Sequence, residues 1–179
     1  MKRLLILMSA LALLGAAALG TTIVRADEGS DDNAQCQSSD DHGGDRAIVA
    51  DDRNGTEGDD NEQGTESDDN ISGRAGDDEL EGEQGDDDLC GDEGDDTLKG
   101  GAGDDHLNGG PGDDDVEGQS GNDVLVGGKG HDLLRGGRGR DLIRARDGVR
   151  DRINCGAGVD TVRADRADVV ARNCEHVSR

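Results

Sequence analysis

The chain has no phenylalanine, tyrosine or tryptophan, one proline and two methionines. With hydrophobic residues at only 30% of 179, it cannot bury a large apolar core, so something besides oil must hold any fold together. Basic residues are scarce through most of its length: from Asp27 to Leu134 there are 36 acidic residues against 5 basic ones. That balance excludes a nucleic-acid partner, and so dense an acidic block repels itself unless cations neutralise it. From Arg135 to Arg179 the sign reverses, with 11 basic and 7 acidic residues. This stretch has no rings for base stacking and its arginines alternate with aspartates, so it is a weak nucleic-acid signal. There is no H-E-x-x-H, no G-x-S-x-G and no base–nucleophile pair, so the sequence speaks against an enzyme.

What the chain does have is glycine and aspartate in strict phase. A nine-residue unit runs unbroken from Gly73 to Ile143 and opens on Gly73, Gly82, Gly91, Gly100, Gly109, Gly118, Gly127 and Gly136. The fourth position is Gly76, Gly85, Gly94, Gly103, Gly112, Gly121, Gly130 and Gly139. The sixth is Asp78, Asp87, Asp96, Asp105, Asp114, Asp123, Asp132 and Asp141. The eighth is always apolar: Leu80, Leu89, Leu98, Leu107, Val116, Leu125, Leu134 and Ile143. A low-complexity acidic linker would not hold three residue types in register through eight units.

Each position has a physical reading. Glycines at positions one and four allow positive φ in a tight turn. Positions seven to nine alternate polar, apolar, polar, as a short strand does. Two units close an 18-residue coil, and successive coils stack as parallel strands ~4.8 Å apart. Stacking places Asp78 over Asp96, Asp114 and Asp132, and Asp87 over Asp105, Asp123 and Asp141. Such columns of like charge need a cation. Calcium takes 6–8 oxygens from carboxylates and main-chain carbonyls, whereas magnesium keeps its waters and zinc prefers Cys and His at other spacings. Several calcium ions, each bridging two turns, are the expected cofactor, and their binding would be coupled to folding.

These repeats resemble the hemolysin-type (RTX) calcium-binding nonapeptide family, in which G-G-x-G-x-D-x-U-x units build a parallel β-roll. The resemblance implies an all-β solenoid. It also implies that the eight sixth-position aspartates are side-chain ligands, with carbonyls of the glycine turns completing each site; Gly76, Gly85, Gly94, Gly100, Gly103, Gly109, Gly112 and Gly121 are the turn glycines assigned to that role. The sequence departs from the pattern where Arg74, Glu83, Asp92 and Gln119 replace the second glycine. It departs again at its start, which resembles a general secretory signal, whereas many family members leave the cell by a C-terminal one.

Four segments follow. Residues 1–26 read as a cleaved signal peptide: Lys2 and Arg3, an apolar run from Leu4 to Leu19, and a small-residue site at Val24-Arg25-Ala26. The run is short of the ~20 apolar residues of a membrane span, so the mature protein is expected to have none. Residues 27–54 read as an acidic disordered leader, in which Ile48-Val49-Ala50 is the one candidate strand. Residues 55–144 form the calcium roll, opening with degenerate capping repeats at Gly55 and Gly64. Residues 145–179 carry further degenerate repeats, with one extra residue between Gly148 and Asp151.

In an exported chain four cysteines suggest disulfides. Cys155 and Cys174 lie 19 residues apart, about one coil, and a bridge there would clip the least calcified end. Cys36 and Cys90 could pair, or Cys90 could remain free or bridge two chains. His106 and His131 fall at variable positions and read as solvated surface. The expected product is a secreted, extracellular or cell-surface calcium-binding protein. Its alternative is an adhesion or spacer module whose arginine-rich end docks to an anionic cell-envelope polymer.

Overall fold

The computed structural model describes residues 52–179, and no helix occurs among them. Chain order gives β1 (Asp52–Asn54), β2 (Asn61–Gln63), β3 (Asn70–Ala75), β4 (Glu79–Gln84), β5 (Asp88–Glu93), β6 (Thr97–Ala102), β7 (His106–Pro111) and β8 (Asp115–Ser120). It continues with β9 (Val124–Lys129), β10 (Leu133–Gly139), β11 (Leu142–Ala145), β12 (Arg152–Gly158), β13 (Thr161–Ala164), β14 (Val169–Val170) and β15 (His176–Ser178). The odd-numbered strands form one sheet in the order β1-β3-β5-β7-β9-β11-β13-β15, and the even-numbered strands form the other. Every pairing between described strands is parallel.

This is a β-solenoid of about seven coils. The chain lays one strand in one sheet, turns, lays the next in the opposite sheet, and returns one level along. Leu80 pairs with Leu98 and Leu98 with Val116 in one sheet, while Ile71, Leu89, Leu107 and Leu125 align in the other. The 18-residue period read from the sequence is therefore the length of a coil.

The core is thin, as the composition demands. The eighth-position residues from Ile71 to Ile143 are fully buried in one cluster that Ile153, Cys155, Val162 and Ala164 continue. The first-position glycines are buried beside them, so in cross-section a leucine column is flanked by glycine and then by the sixth-position aspartate. The first coils depart from this layout. Glu62 stands in the leucine register opposite Leu80 and is only half-buried.

Strand β1 takes in the last three residues of segment 27–54 and pairs with β3. Past Ile143 the stack continues through the stretch whose glycine frame decays. The extra residue before Asp151 makes one coil 19 residues long, so Leu134 pairs with Ile153 and Ile143 with Val162. The next coils are shorter: Ile153 pairs with Val170 and Val162 with Val177. Length changes are absorbed in the turns, and the inward apolar residues stay in register. Cys155 and Cys174 are bonded, with Cα atoms 5.2 Å apart. Residues 1–26, the Ile48-Val49-Ala50 strand candidate and Cys36 lie outside the described residues.

Candidate metal-binding turns

The sixth-position aspartates sit where strand alternation and glycine make room for them. Each carboxylate points into its own turn and is 1–3% exposed. One oxygen is spoken for. Oδ1 of Asp78 accepts the main-chain N–H of Asp60 at 2.7 Å, Oδ1 of Asp96 that of Asp78 at 2.9 Å, and Oδ1 of Asp114 that of Asp96 at 2.9 Å. The second row does the same: Asp87 accepts from Asp69 at 2.8 Å, Asp105 from Asp87 at 3.0 Å, Asp123 from Asp105 at 3.0 Å and Asp141 from Asp123 at 3.1 Å. Asp132 accepts from Asp114 at 3.1 Å. Each carboxylate is thus tied to the equivalent aspartate one coil earlier.

The other oxygen is not satisfied. Oδ2 of all eight is buried and meets no hydrogen-bond donor. It lies against the first-position glycine of its own repeat, where a Cβ built on Gly73, Gly82, Gly91, Gly100, Gly109, Gly118, Gly127 or Gly136 would collide with it. The same point beside Gly91 is approached by the carbonyl of Gly109, and that beside Gly109 by the carbonyl of Gly127. A buried anionic oxygen without a donor is costly, yet here it recurs in every repeat.

The glycine reading needs one correction. Position four does use positive φ, as at Gly94 (141°) and Gly103 (146°). Position one does not; its glycine is required because the carboxylate fills the space of a Cβ. The second left-handed site is position two, at Gly101, Gly110, Gly128 and Gly137. Arg74, Glu83, Asp92 and Gln119, which replace that glycine, are held at φ between 71° and 80°. The position-four glycines also stack on one another: a Cβ on Gly112 would strike the carbonyl of Gly94, and one on Gly121 that of Gly103.

Two sets of residues are missing from the sequence-derived site. The fifth-position acids run the opposite way: Asp77 Oδ1 accepts the N–H of Asp95 at 3.0 Å, Asp86 that of Asp104 at 2.9 Å and Asp95 that of Asp113 at 2.8 Å. They hold each turn to the following coil from the exposed side. Their signal is the recurring Asp-Asp dipeptide, as in Asp104-Asp105 and Asp113-Asp114. The buried rows also continue past the strict repeats, with Asp132 donating to Asp151 at 2.9 Å, Asp141 to Asp160 at 2.9 Å and Asp151 to Asp168 at 3.1 Å. Oδ2 of Asp151 and of Asp160 meets no donor either. In the first coils threonine supplies what is lacking, since the Thr56 hydroxyl donates to Asp60 Oδ2 and the Thr65 hydroxyl to Asp69 Oδ2, each at 3.0 Å.

Burial dominates the electrostatics. It pushes the carboxyl of Asp114 up to about 8, those of Asp87, Asp123 and Asp132 up to about 7, and those of Asp96, Asp105 and Asp151 up to about 6. Asp78 and Asp141 are raised for the same reason. In each case the N–H from the preceding coil opposes the rise. The turns therefore disfavour the very charge their sequence supplies, unless a counter-charge enters.

Hard oxygen donors, buried and without protons to accept, fit calcium better than any softer metal. Among the described residues no three His, Cys, Asp or Glu side chains converge on one point. Each turn of the strict repeats contributes one inward sixth-position carboxylate. His106 and His131 are exposed, as their variable positions suggest. A shallow groove lined by Glu57, Arg74, Ala75, Asp92 and Glu93 holds no base–nucleophile pair.

No curated protein matches the chain. The family model described as RTX calcium-binding nonapeptide repeat, in four copies, matches residues 54–89, 91–125 and 117–149, which together make up more than half of the sequence. With glycine turns, inward aspartates and parallel coils in the same register, the chain belongs to the RTX calcium-binding nonapeptide repeat family.

Proposed function

We propose that this protein is an exported, non-enzymatic roll that folds when calcium enters its turns. One observation carries the reading: two rows of buried carboxylates, each with one oxygen that lacks a donor and fills the space of a Cβ on the first-position glycine of its own repeat. Asp78, Asp96, Asp114 and Asp132 would hold ions along one edge, and Asp87, Asp105, Asp123 and Asp141 along the other. Carbonyls of Gly76, Gly85, Gly94, Gly100, Gly103, Gly109, Gly112 and Gly121 would complete the sites. Bound calcium supplies positive charge between layers that otherwise repel.

The thin core supports the coupling to folding. Sixteen hydrophobic residues are buried among those described, and none is aromatic. That leaves little apolar stabilisation to offset the ordering entropy of the chain plus two columns of desolvated carboxylates. Metal-free protein at neutral pH is then loose, and calcium at extracellular concentration is the switch.

Export supports the same reading. The apolar run in residues 1–26 has the length and flanks of a signal peptide.

Far-ultraviolet circular dichroism during a calcium titration tests the proposal. A coil-to-β change that chelator reverses is the expected result. No change up to ~10 mM calcium, beyond the weak extracellular range, contradicts it. The adhesion alternative shares this chemistry and adds an envelope polymer bound by the basic coils after Arg135. Salt-sensitive retention of the folded protein on cell envelopes is its distinguishing result.

A further inference from the structure

The two sheets present different outer faces. On the even-numbered sheet the residue after each inward apolar one reads Glu81, Lys99, Glu117, Arg135 along the stack, charged and part-exposed. On the odd-numbered sheet the same column reads Ser72, Cys90, Asn108, Val126, Arg144, Arg163. Strand alternation points this column away from the core. Even so, Cys90, Asn108 and Val126 are only 8%, 6% and 0% exposed. Val126 and Cys90 also stand apart from the inter-sheet cluster. Val124 and Leu142 lie beside Val126 on the same outer face, two positions before the column in β9 and β11. The Nε of Arg144, next along, is buried without a hydrogen-bond partner. All described strands belong to one of the two sheets, so none of them crosses this face.

We propose that the acidic segment 27–51 of the same chain lies across this face, fastened by a Cys36–Cys90 disulfide. Cys90 is disulfide-bonded, and Cys155 and Cys174 bond each other, which leaves Cys36 as its partner within the chain. The reach suffices. Cys90 lies two strands from β1 and Val126 four, or ~10 and ~19 Å at the spacing of paired strands. The fifteen residues between Cys36 and Asp52 span up to ~50 Å when extended. The charges are complementary. The segment carries eight Asp and Glu against one Arg46, and the face ends in Arg144 and Arg163. From Cys90 the acidic residues before Cys36 can run on across Val126 to Arg144 and Arg163, three and four strands farther along the sheet, or ~14 and ~19 Å. The inference needs the roll folded but is independent of how calcium is held.

The test uses the full exported chain in calcium. Peptide mapping without reductant is expected to find Cys36 joined to Cys90 within a monomer. Hydrogen exchange is expected to show amides of 27–51 protected at least ~10-fold over the same chain carrying Val126→Asp, as for a segment docked by local contacts. The β-sheet dichroism should be the same in both. Should Val126→Asp weaken that dichroism, Arg144→Glu takes its place with the same expected loss of protection. A Cys36–Cys90 bridge between two copies overturns the proposal. So do amides in 27–51 that exchange as fast as an unstructured peptide, or protection that neither substitution changes.

Discussion

Asp105 Oδ1 accepts the main-chain N–H of Asp87 at 3.0 Å, one full coil away. The same carboxylate turns its other oxygen, without a donor, toward Gly100. One side chain therefore does two jobs: it ties a coil to its neighbour, and it presents an anionic oxygen inside the turn.

Separating those jobs gives the first prediction. Asp105→Asn keeps an acceptor for the Asp87 N–H but removes the charge, whereas Asp105→Ala removes both. Both substitutions are expected to raise the calcium midpoint and lower the steepness of the titration, because a mid-array carboxylate serves two neighbouring layers. In saturating calcium the alanine variant should be less stable than the asparagine variant by about 0.5–1.5 kcal/mol, the size of a hydrogen bond between neutral groups. Calorimetric titration and thermal unfolding read the two effects. Identical midpoints for wild type and Asp105→Ala contradict the stacked geometry.

The raised carboxyls predict an unusual dependence on acid. Asp114 at about 8, Asp87, Asp123 and Asp132 at about 7, and Asp96 and Asp105 at about 6 all exceed their ordinary value of 3.8. The folded metal-free state thus binds more protons than the unfolded state between pH 4 and 8, so its stability falls as pH rises through that window. Metal-free protein is expected to gain β-sheet dichroism as pH is lowered from about 8 toward about 4, with protons standing in for calcium. Calcium binding near pH 7 should release protons, seen as a buffer-dependent heat, and its apparent affinity should drop on acidification. Dichroism that is flat with pH in metal-free buffer counts against this account.

Backbone conformation gives a third. Gln119 occupies a glycine position at φ 72°. Left-handed backbone costs a residue with a Cβ ~1–2 kcal/mol, and part of that gain is offset by the extra freedom of glycine in the unfolded chain. Gln119→Gly should therefore raise stability in calcium by about 0.5–1 kcal/mol. Gly112→Ala, whose Cβ would strike the Gly94 carbonyl, should lower it by at least ~2 kcal/mol. Thermal melts of the two variants should move in opposite directions.

The fourth concerns the last coils. The Cys155–Cys174 bridge closes a 19-residue separation, a loop length for which the chain-entropy model gives ~3 kcal/mol. In a solenoid whose repeats touch mainly their neighbours, that loss should stay local. Cys155→Ser is expected to speed hydrogen exchange in β12 to β15 while β4 to β8 stay protected. A uniform loss across the stack argues for one cooperative unit.

Much of this molecule can be read from its letters. Gly, Asp and Leu in strict phase fix the coil length, the two sheets and both carboxylate rows, because each type serves one steric or electrostatic need in every layer. The fifth-position acids are harder to see, since Asn122, His131 and Arg140 interrupt them and exposed carboxylates look like ordinary solubilising charge. Asp151 and Asp160 escape for another reason. One extra residue separates Gly148 from Asp151, and Cys155 stands for the opening glycine in the unit that restores the pattern at Asp160, so the register of β12 with β10 and of β13 with β11 is what joins them to the rows. The left-handed residues at position two are signalled only by the glycines of the other repeats. The covered column from Cys90 to Val126 becomes visible only once alternate repeats are known to share a sheet.

Because both sheets are built from one nine-residue unit, the stack has an approximate screw axis. Losing or duplicating a single unit would move every later strand to the opposite wall, yet leucine would still meet leucine and aspartate would still find a coil-mate's N–H. The interior is thus indifferent to such slippage, whereas the exterior is not: a unit lost or gained between Cys90 and Val126 would split Cys90, Asn108 and Val126 across two walls. Changes in array length by one unit should spare the ion ladder and scramble whatever the outside recognises, so only steps of a whole coil preserve both.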